Sequence, residues 1–399
     1  MPNQTLYLCY FGLREPLVQT QVLPYLGEIK KLENIKVGLL TFEPDFKKNW
    51  TAEQIETEQK RLAAQGINWY CLPYHKRPSA LVTLYDILNG VRFVINLSRK
   101  EKIDILHARA HIPMLMAMLI SKVTKSKILF DIRGLMADEY ADAGVWQENS
   151  KIFRFIKQIE RWGIKEASEI VVLTNRMRNY LVENHLKLRK NIEVIPCCFD
   201  FSRVEQNTGV EKKRRFEMIY AGSVTGLYLL HEMGSFFLEL KKLKSDAFFQ
   251  ILTASPPEVI QEAFDKLGID KDDYAVSRVL PSEVPKHLKR AHLGISFRMA
   301  TFSQMASSPT KIPEYLACGL PVVLNYGIGD VDYLLEKEKV GICLKNFDAE
   351  EMVRATGEIF DILSEDKIAE RCIKVAHEYF DLNNVGGKRY QNVYRRLMN

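Results

Sequence analysis

The chain has 399 residues, of which 47% are hydrophobic and 27% charged, the balance of a globular protein with more chain than one core holds comfortably, so two domains are expected. Seven cysteines show no Cys-x-x-Cys spacing, which argues against a disulfide framework and a structural zinc site and points to reducing cytosol. The net charge is +6, and residues 1–200 carry 29 Lys+Arg against 22 Asp+Glu while the remainder carries 27 against 28.

Met1–Leu8 lacks the basic stretch and long apolar core of a secretory leader, and the longest apolar run, Ile112–Ile120, is about half of a bilayer span. The sequence therefore predicts a protein that does not cross a membrane. Short apolar, β-rich runs occur at Leu6–Tyr10, Lys36–Thr41, Ile103–His107, Ile128–Ile132, Ile170–Thr174 and Glu193–Ile195. They resume at Glu217–Ala221, Phe248–Thr253, Gly294–Phe297, Pro321–Asn325 and Gly341–Leu344. Runs apolar on both faces belong to buried parallel strands, and the amphipathic stretches between them supply the crossovers. The pattern occurs twice, predicting two doubly wound, Rossmann-like α/β domains. The join falls in Pro196–Arg215, which is polar and charged. The expected division is 1–200 and 201–380, with 381–399 as a closing helix.

Within the basic half, Lys151–Lys190 holds ten basic and four acidic residues. Such a run is either a solvated face or a contact with something anionic, namely a phosphorylated acceptor or an inner-leaflet surface. Nucleic acid is excluded as a partner, because no recognised binding motif accompanies the charge.

Ligands of doubly wound sheets sit at the carboxyl ends of the strands. The polar residues there are His107, Arg109 and His111, then Asp131 and Arg133, Thr174, Gly222 and Ser223, Arg298, and Asn325. Gly12 follows the first strand as a turn glycine. Asp131 and Arg133 either pair with each other or open a loop whose acids, Asp138 and Glu139, face an acceptor hydroxyl. In Ser307–Val323, Ser308 reads as a helix N-cap, Pro309 as the first helical residue and Gly319 as the end. Ile312, Tyr315 and Leu316 make the buried stripe, leaving Lys311 and Glu314 together on the other face. A helix start beside a lysine is an anion site, and a carboxylate one turn on suits sugar hydroxyls. Asp330-Val-Asp332 has the Asp-x-Asp form of metal-dependent transferases, yet it follows a Gly-Ile-Gly loop, and no metal is expected.

Thr310-Lys-x-x-Glu-Tyr-Leu-Ala-x-Gly-x-Pro-Val-Val323 resembles the nucleotide-binding helix of the retaining GT-B glycosyltransferases of family 4 (glycosyl transferases group 1). The resemblance implies two domains facing across a cleft, a nucleoside diphosphate sugar as donor substrate, and no cofactor. It implies Glu314 as ribose ligand, with Ser308, Thr310 and Lys311 near the phosphates and Gly12, Gly222 and Ser223 beside the donor. His107, Arg109 and His111 resemble the strand-end segment that approaches the transferred sugar, and Arg298 would replace the cation absent after the Gly222 turn. Asp131, Arg133, Asp138 and Glu139 resemble the D-x-R-G…D-E stretch of an acceptor side. The pattern departs at Ala306, where the family commonly has a glutamate.

The expected activity is sugar transfer to a saccharide or lipid-linked acceptor with retention of configuration, in cell-surface polysaccharide or glycoconjugate synthesis. The expected location is the cytoplasm, with peripheral contact at an anionic inner membrane face. The alternatives are a nucleotide-sugar epimerase of the same architecture and a non-catalytic nucleotide-sugar-binding relative.

Overall fold

The computed structural model describes residues 3–75, 80–184, 191–205 and 211–399. Parts of two expected segments, 185–190 of the basic run and 206–210 of the join, lie outside the described residues. The chain divides into two compact units, Met1–Pro196 with Asn383–Asn399, and Cys197–Leu382.

The first unit holds seven parallel strands: β1 (Asn3–Cys9), β2 (Ile35–Pro44), β3 (Ile67–Tyr74), β4 (Ile105–Arg109), β5 (Lys127–Asp131), β6 (Glu169–Val172) and β7 (Ile192–Val194). Their order is β3-β2-β1-β4-β5-β6-β7. The second holds β8 (Glu217–Ala221), β9 (Phe248–Leu252), β10 (Tyr274–Ser277), β11 (Leu293–Ser296), β12 (Val322–Asn325) and β13 (Gly341–Leu344), in the order β10-β9-β8-β11-β12-β13. The chain winds outward one way and then the other, so each sheet has a switch point, between β1 and β4 and between β8 and β11. The crevice outside the strand ends at that point is where such sheets bind ligands.

Two strands were not read from the sequence, and both are edges. β3 buries only Ile67 and Trp69, is half-buried from Tyr70 onward and ends in Pro73-Tyr74, and β10 is half-buried throughout. Both bury less than the interior strands, and proline is tolerated at an edge, so neither shows a continuous apolar run; the other two edges, β7 and β13, were read. The second unit packs one core on each side of its sheet, the first around Ile312, Tyr315, Leu316 and Val322, the other around Phe236, Phe249, Phe264 and Phe297. Helix Lys388–Met398 belongs to the first unit and buries Tyr390, Val393, Tyr394 and Leu397 there.

Candidate functional site

The second unit's switch point is built from backbone. β8 ends at Ala221, and Gly222 follows with φ of 138°, a conformation that side-chain-bearing residues rarely adopt. A Cβ on Gly222 would lie 2.9 Å from Lys311 Nζ, so this glycine also makes room for the ammonium. From the neighbouring β11 the chain delivers Arg298. Its backbone N–H donates to Asn325 Oδ1 at 2.8 Å, and Asn325 Nδ2 donates to the Arg298 carbonyl at 2.9 Å. This reciprocal pair fastens the ends of β11 and β12 together, and Arg298 Nη1 donates to Ser307 Oγ at 2.8 Å.

Lys311 opens helix Lys311–Ala317 and is buried, which corrects the expectation that it shares an open face with Glu314. Tyr315 and Leu316 anchor the helix in the core, and its first turn carries the lysine inward. Lys311 Nζ donates to the Tyr220 hydroxyl at 2.9 Å, and that hydroxyl donates to the Ser223 carbonyl. The ammonium lies 4.1 Å from the Tyr220 ring centre and 4.0 Å from that of Tyr228, a cation–π cage. Among the described residues, neither Lys311 nor Arg298 has a carboxylate at ion-pairing distance, and the Arg298 Nε is buried without an acceptor. Burial, with Arg298 adding to it and Glu314 opposing, holds the Lys311 amine well below the usual lysine range. Two cations with no ion-pair partner among the described residues, in a partly dry site, are chemically suited to receive an anion.

Glu314 is reached by Arg203, whose Nη2 donates to Oε1 at 2.9 Å. Burial pushes the Glu314 carboxyl up, against the pull of Arg203 and Lys311. Ser308 does not cap the helix. Its hydroxyl accepts from the Cys197 N–H at 3.0 Å, and Thr310 takes the N-cap position without a side-chain cap bond. The Ser-Pro-Thr sequence fits a cap, but a tertiary partner claims the serine. Ser223 is at the rim, with its hydroxyl 3.2 Å from Thr225 Oγ1.

In the first unit the candidates sit mostly inside. His107 lies within β4 and is fully buried; its Nδ1 is 2.9 Å from the Tyr394 hydroxyl and its Nε2 3.5 Å from Asp131 Oδ2. Asp131 accepts from the Tyr390 hydroxyl at 3.0 Å and lies 3.8 Å from Arg109 and 3.5 Å from Arg133. Burial pushes the Asp131 carboxyl up, but Arg133, His107 and Arg109 outweigh it and hold the group well below the usual range. For His107, burial dominates and lowers the imidazole pKa. This network lies under helix Lys388–Met398, so Asp131 corrects from an acceptor-facing acid to a buried counter-charge, and His107 from a strand-end residue to an internal one.

His111 begins helix His111–Thr124, and its Nε2 is 3.1 Å from Glu160 Oε2. Lys157 joins Glu160 at 2.8 Å to Asp138 at 2.9 Å, so Asp138 is held within the unit rather than presented to solvent. Glu139 folds back against Gly134. At Gly12, an added Cβ would lie 2.9 Å from Glu43 Oε2, a carboxylate that also accepts from Trp50 Nε1 and, through Oε1, from the Leu13 N–H. Asp332 gives its two oxygens to the N–H groups of Gly327 and Tyr333, so this part of the Asp-x-Asp sequence holds a turn.

Sequence reasoning missed Arg203, Tyr220, Tyr228, Tyr390 and Tyr394, because each acts on a residue in another element. It also missed a second arrangement. At the end of β3, His75 Nδ1 is 2.6 Å from Asp86 Oδ1, while Oδ2 accepts from the His75 N–H and the Tyr10 hydroxyl. The undetected edge strand hid it.

Comparison with known proteins places this geometry in context. The fold is that of GT-B glycosyltransferases. Sucrose-phosphate synthase from Thermosynechococcus elongatus matches with a TM-score of 0.70 at 13% identity, over 99% of both chains. A glycosyltransferase from Rickettsia africae matches at 0.69 and 16%, over 100% of this chain and 99% of that one. Anabaena HepE, in complex with UDP, matches at 0.68 and 12%, over 98% and 100%. Residues 52–203 match the family model Glycosyltransferase Family 4. That match falls almost wholly on the first unit, away from the Ser307–Val323 motif. No curated protein matches the sequence.

Proposed function

We propose that the chain transfers a sugar from a nucleoside diphosphate sugar to a saccharide or lipid-linked acceptor, with retention of configuration, in cell-surface polysaccharide or glycoconjugate synthesis. The observation that carries this reading is the pair of cations, Lys311 and Arg298, that have no ion-pair partner among the described residues and gather with Gly222 at the switch point of the second unit. A diphosphate supplies the charge that the site lacks, and Glu314, released from Arg203 or shared with it, binds the ribose hydroxyls. Catalysis then rests on stabilising the departing diphosphate with Lys311 and Arg298. The leaving phosphate takes the acceptor's proton, so neither a metal, a cofactor nor a dedicated base is required. The UDP bound to HepE makes UDP the first nucleotide to try. The chain works in the cytoplasm, and the basic first unit meets an anionic membrane surface that carries the acceptor.

A thermal-shift screen against UDP, GDP, ADP and their sugars tests the donor site, since a ligand that binds the native state raises apparent stability. Incubation with the best donor then separates the activities. Slow release of free nucleoside diphosphate marks a transferase, a new nucleotide sugar marks an epimerase, and neither product marks a binding protein. No stabilisation by any nucleotide overturns the reading.

A further inference from the structure

The crossovers β3→β4, β4→β5 and β5→β6 all run in the same direction along the first sheet. Right-handed crossovers therefore put helices Ala80–Ser98, His111–Thr124 and Lys151–Glu166 on one face. The middle helix packs on both of the others, so the three form one layer. Its outer surface is unusual in composition. On Ala80–Ser98, Leu81, Leu84, Tyr85 and Leu88 follow the i, i+3, i+4, i+7 spacing of a single helical stripe, and all four are exposed. On Lys151–Glu166, Phe155 and Trp162 are seven residues apart, hence on the same face, and are 50% and 46% exposed. An apolar stripe that wide is ordinarily turned inward; here one is exposed, and the same layer exposes two large aromatics as well.

Between the middle helix and Lys151–Glu166 lies an open depression of about 610 Å³. Leu115, Met118, Leu119 and Trp162 supply much of its apolar lining. Lys122, Lys125 and Lys165 stand round it against one acid, Glu166. Arg154 and Arg161 add exposed cations along the same helix.

We propose that this helix layer is a docking face for an anionic phospholipid bilayer, with the depression receiving a lipid headgroup between the lysines. The proposal rests on the anionic-surface reading of the first unit and locates it; it does not depend on the donor site. Aromatic and leucine side chains beside lysines are the composition of a helix that lies in a membrane interface, the apolar groups entering the acyl boundary and the cations meeting phosphate. A second copy of the chain fits poorly. A twofold contact would set this face against a copy of itself, bringing the patch that holds Lys122, Lys125, Lys165 and Arg161 up to another of the same sign. Nucleic acid uses the cations but gives no role to a leucine stripe.

The test is co-sedimentation of the whole chain with phosphatidylcholine vesicles and with vesicles that also contain phosphatidylglycerol, at low and high salt. Wild type should bind the phosphatidylglycerol vesicles at low salt and lose most binding at high salt. Each neutralised lysine near the surface should cost about fivefold, so Lys122→Gln with Lys125→Gln should cost about 25-fold. Phe155→Ser with Trp162→Ser should abolish the binding that survives high salt. UDP affinity, which belongs to the other unit, and the thermal midpoint report that the variants are folded. Wild-type binding that the variants retain overturns the assignment of this face while leaving the anionic attraction standing. Absence of wild-type binding at low salt overturns both. A concentration-dependent dimer that disappears in the same variants overturns it in favour of an interface between copies.

Discussion

Lys311 Nζ is hydrogen-bonded to the Tyr220 hydroxyl at 2.9 Å, and its charge has the faces of Tyr220 and Tyr228 for company rather than a carboxylate. The empty protein therefore carries a lysine whose pKa is depressed, chiefly by burial. The unfolded chain binds that proton more tightly than the folded one does, so this group favours folding more as pH rises from its depressed value toward the ordinary one. A bound diphosphate reverses the balance by supplying negative charge. Nucleoside diphosphate binding should then take up a proton and weaken as pH rises. Calorimetry in buffers of different ionisation enthalpy reads the uptake directly. Lys311→Met, which keeps much of the packing, should lose the uptake and weaken UDP more than UMP. Equal loss for the two nucleotides would remove Lys311 from the phosphates.

Arg298 gives the second prediction. Its backbone is fixed by Asn325 and its Nη1 by Ser307, while its Nε is buried without an acceptor. Arg298→Lys keeps a charge but loses the planar fork that addresses two phosphate oxygens. The expected result is a fall in turnover with a smaller change in nucleotide affinity, since the diphosphate needs most stabilisation as it departs. Equal effects on both would make Arg298 a simple binding group.

Metal removal should leave transfer intact. Asp332 spends both carboxylate oxygens on backbone N–H groups, and in the proposed reading Lys311 and Arg298 supply the charge that meets the diphosphate. Complete loss of activity with EDTA, restored by a divalent ion, would contradict this.

How far the sequence carried depends on how local each signal is. The interior strands, including β1, β5, β8 and β12, each carry a short apolar run and were legible, as were the edges β7 and β13, whereas the edges β3 and β10 were not. Helix Lys311–Ala317 was legible from its buried stripe, but the burial of Lys311 was not, because Tyr220 lies 91 positions earlier. Arg203 is 111 positions from Glu314, and Tyr394 is 287 from His107. Strand-end position picks out polar residues without telling whether another element covers them. At β8 and β11 it pointed to Arg298 and, across the turn at Gly222, to the buried Lys311; at β4 and β5 it pointed to a network that helix Lys388–Met398 seals.

That seal has its own consequence. Asp131 is the common counter-charge for Arg109 and Arg133 and accepts from the Tyr390 hydroxyl. Tyr390→Phe removes a hydrogen bond to a buried carboxylate and should cost about 1.5–3 kcal/mol of stability. Asp131→Asn removes the carboxylate charge that Arg109 and Arg133 share and should cost more. Asp131 has a folded pKa below its unfolded one, so its contribution is complete at neutral pH and is lost as pH falls. The gap between wild type and Asp131→Asn should shrink below about pH 4. Denaturant titrations across pH measure it, and a gap independent of pH would mean that Asp131 acts through shape alone.

The pair Glu314–Arg203 separates a ligand site from a structural bridge. Their 2.9 Å contact is half-buried, so Glu314→Ala removes both the ion pair to Arg203 and the carboxylate that the proposed reading gives to ribose. If the ribose hydroxyls donate to Glu314, the lost bonds are worth about 1.5–3 kcal/mol, or about tenfold to a hundredfold in nucleotide affinity. Arg203→Ala tests the other role. As a structural partner alone, Arg203 would give the same stability loss as Glu314→Ala and no separate effect on nucleotide. The expected pattern is different: Glu314→Ala weakens UDP strongly, whereas Arg203→Ala weakens it little, because ribose can replace the guanidinium as donor. Stability should change little in either variant, since Ile312, Tyr315 and Leu316 hold the helix in its core. Calorimetry with UDP, paired with thermal melts, decides between them. Matching losses of stability with unchanged affinity would leave Glu314 as one half of a salt bridge.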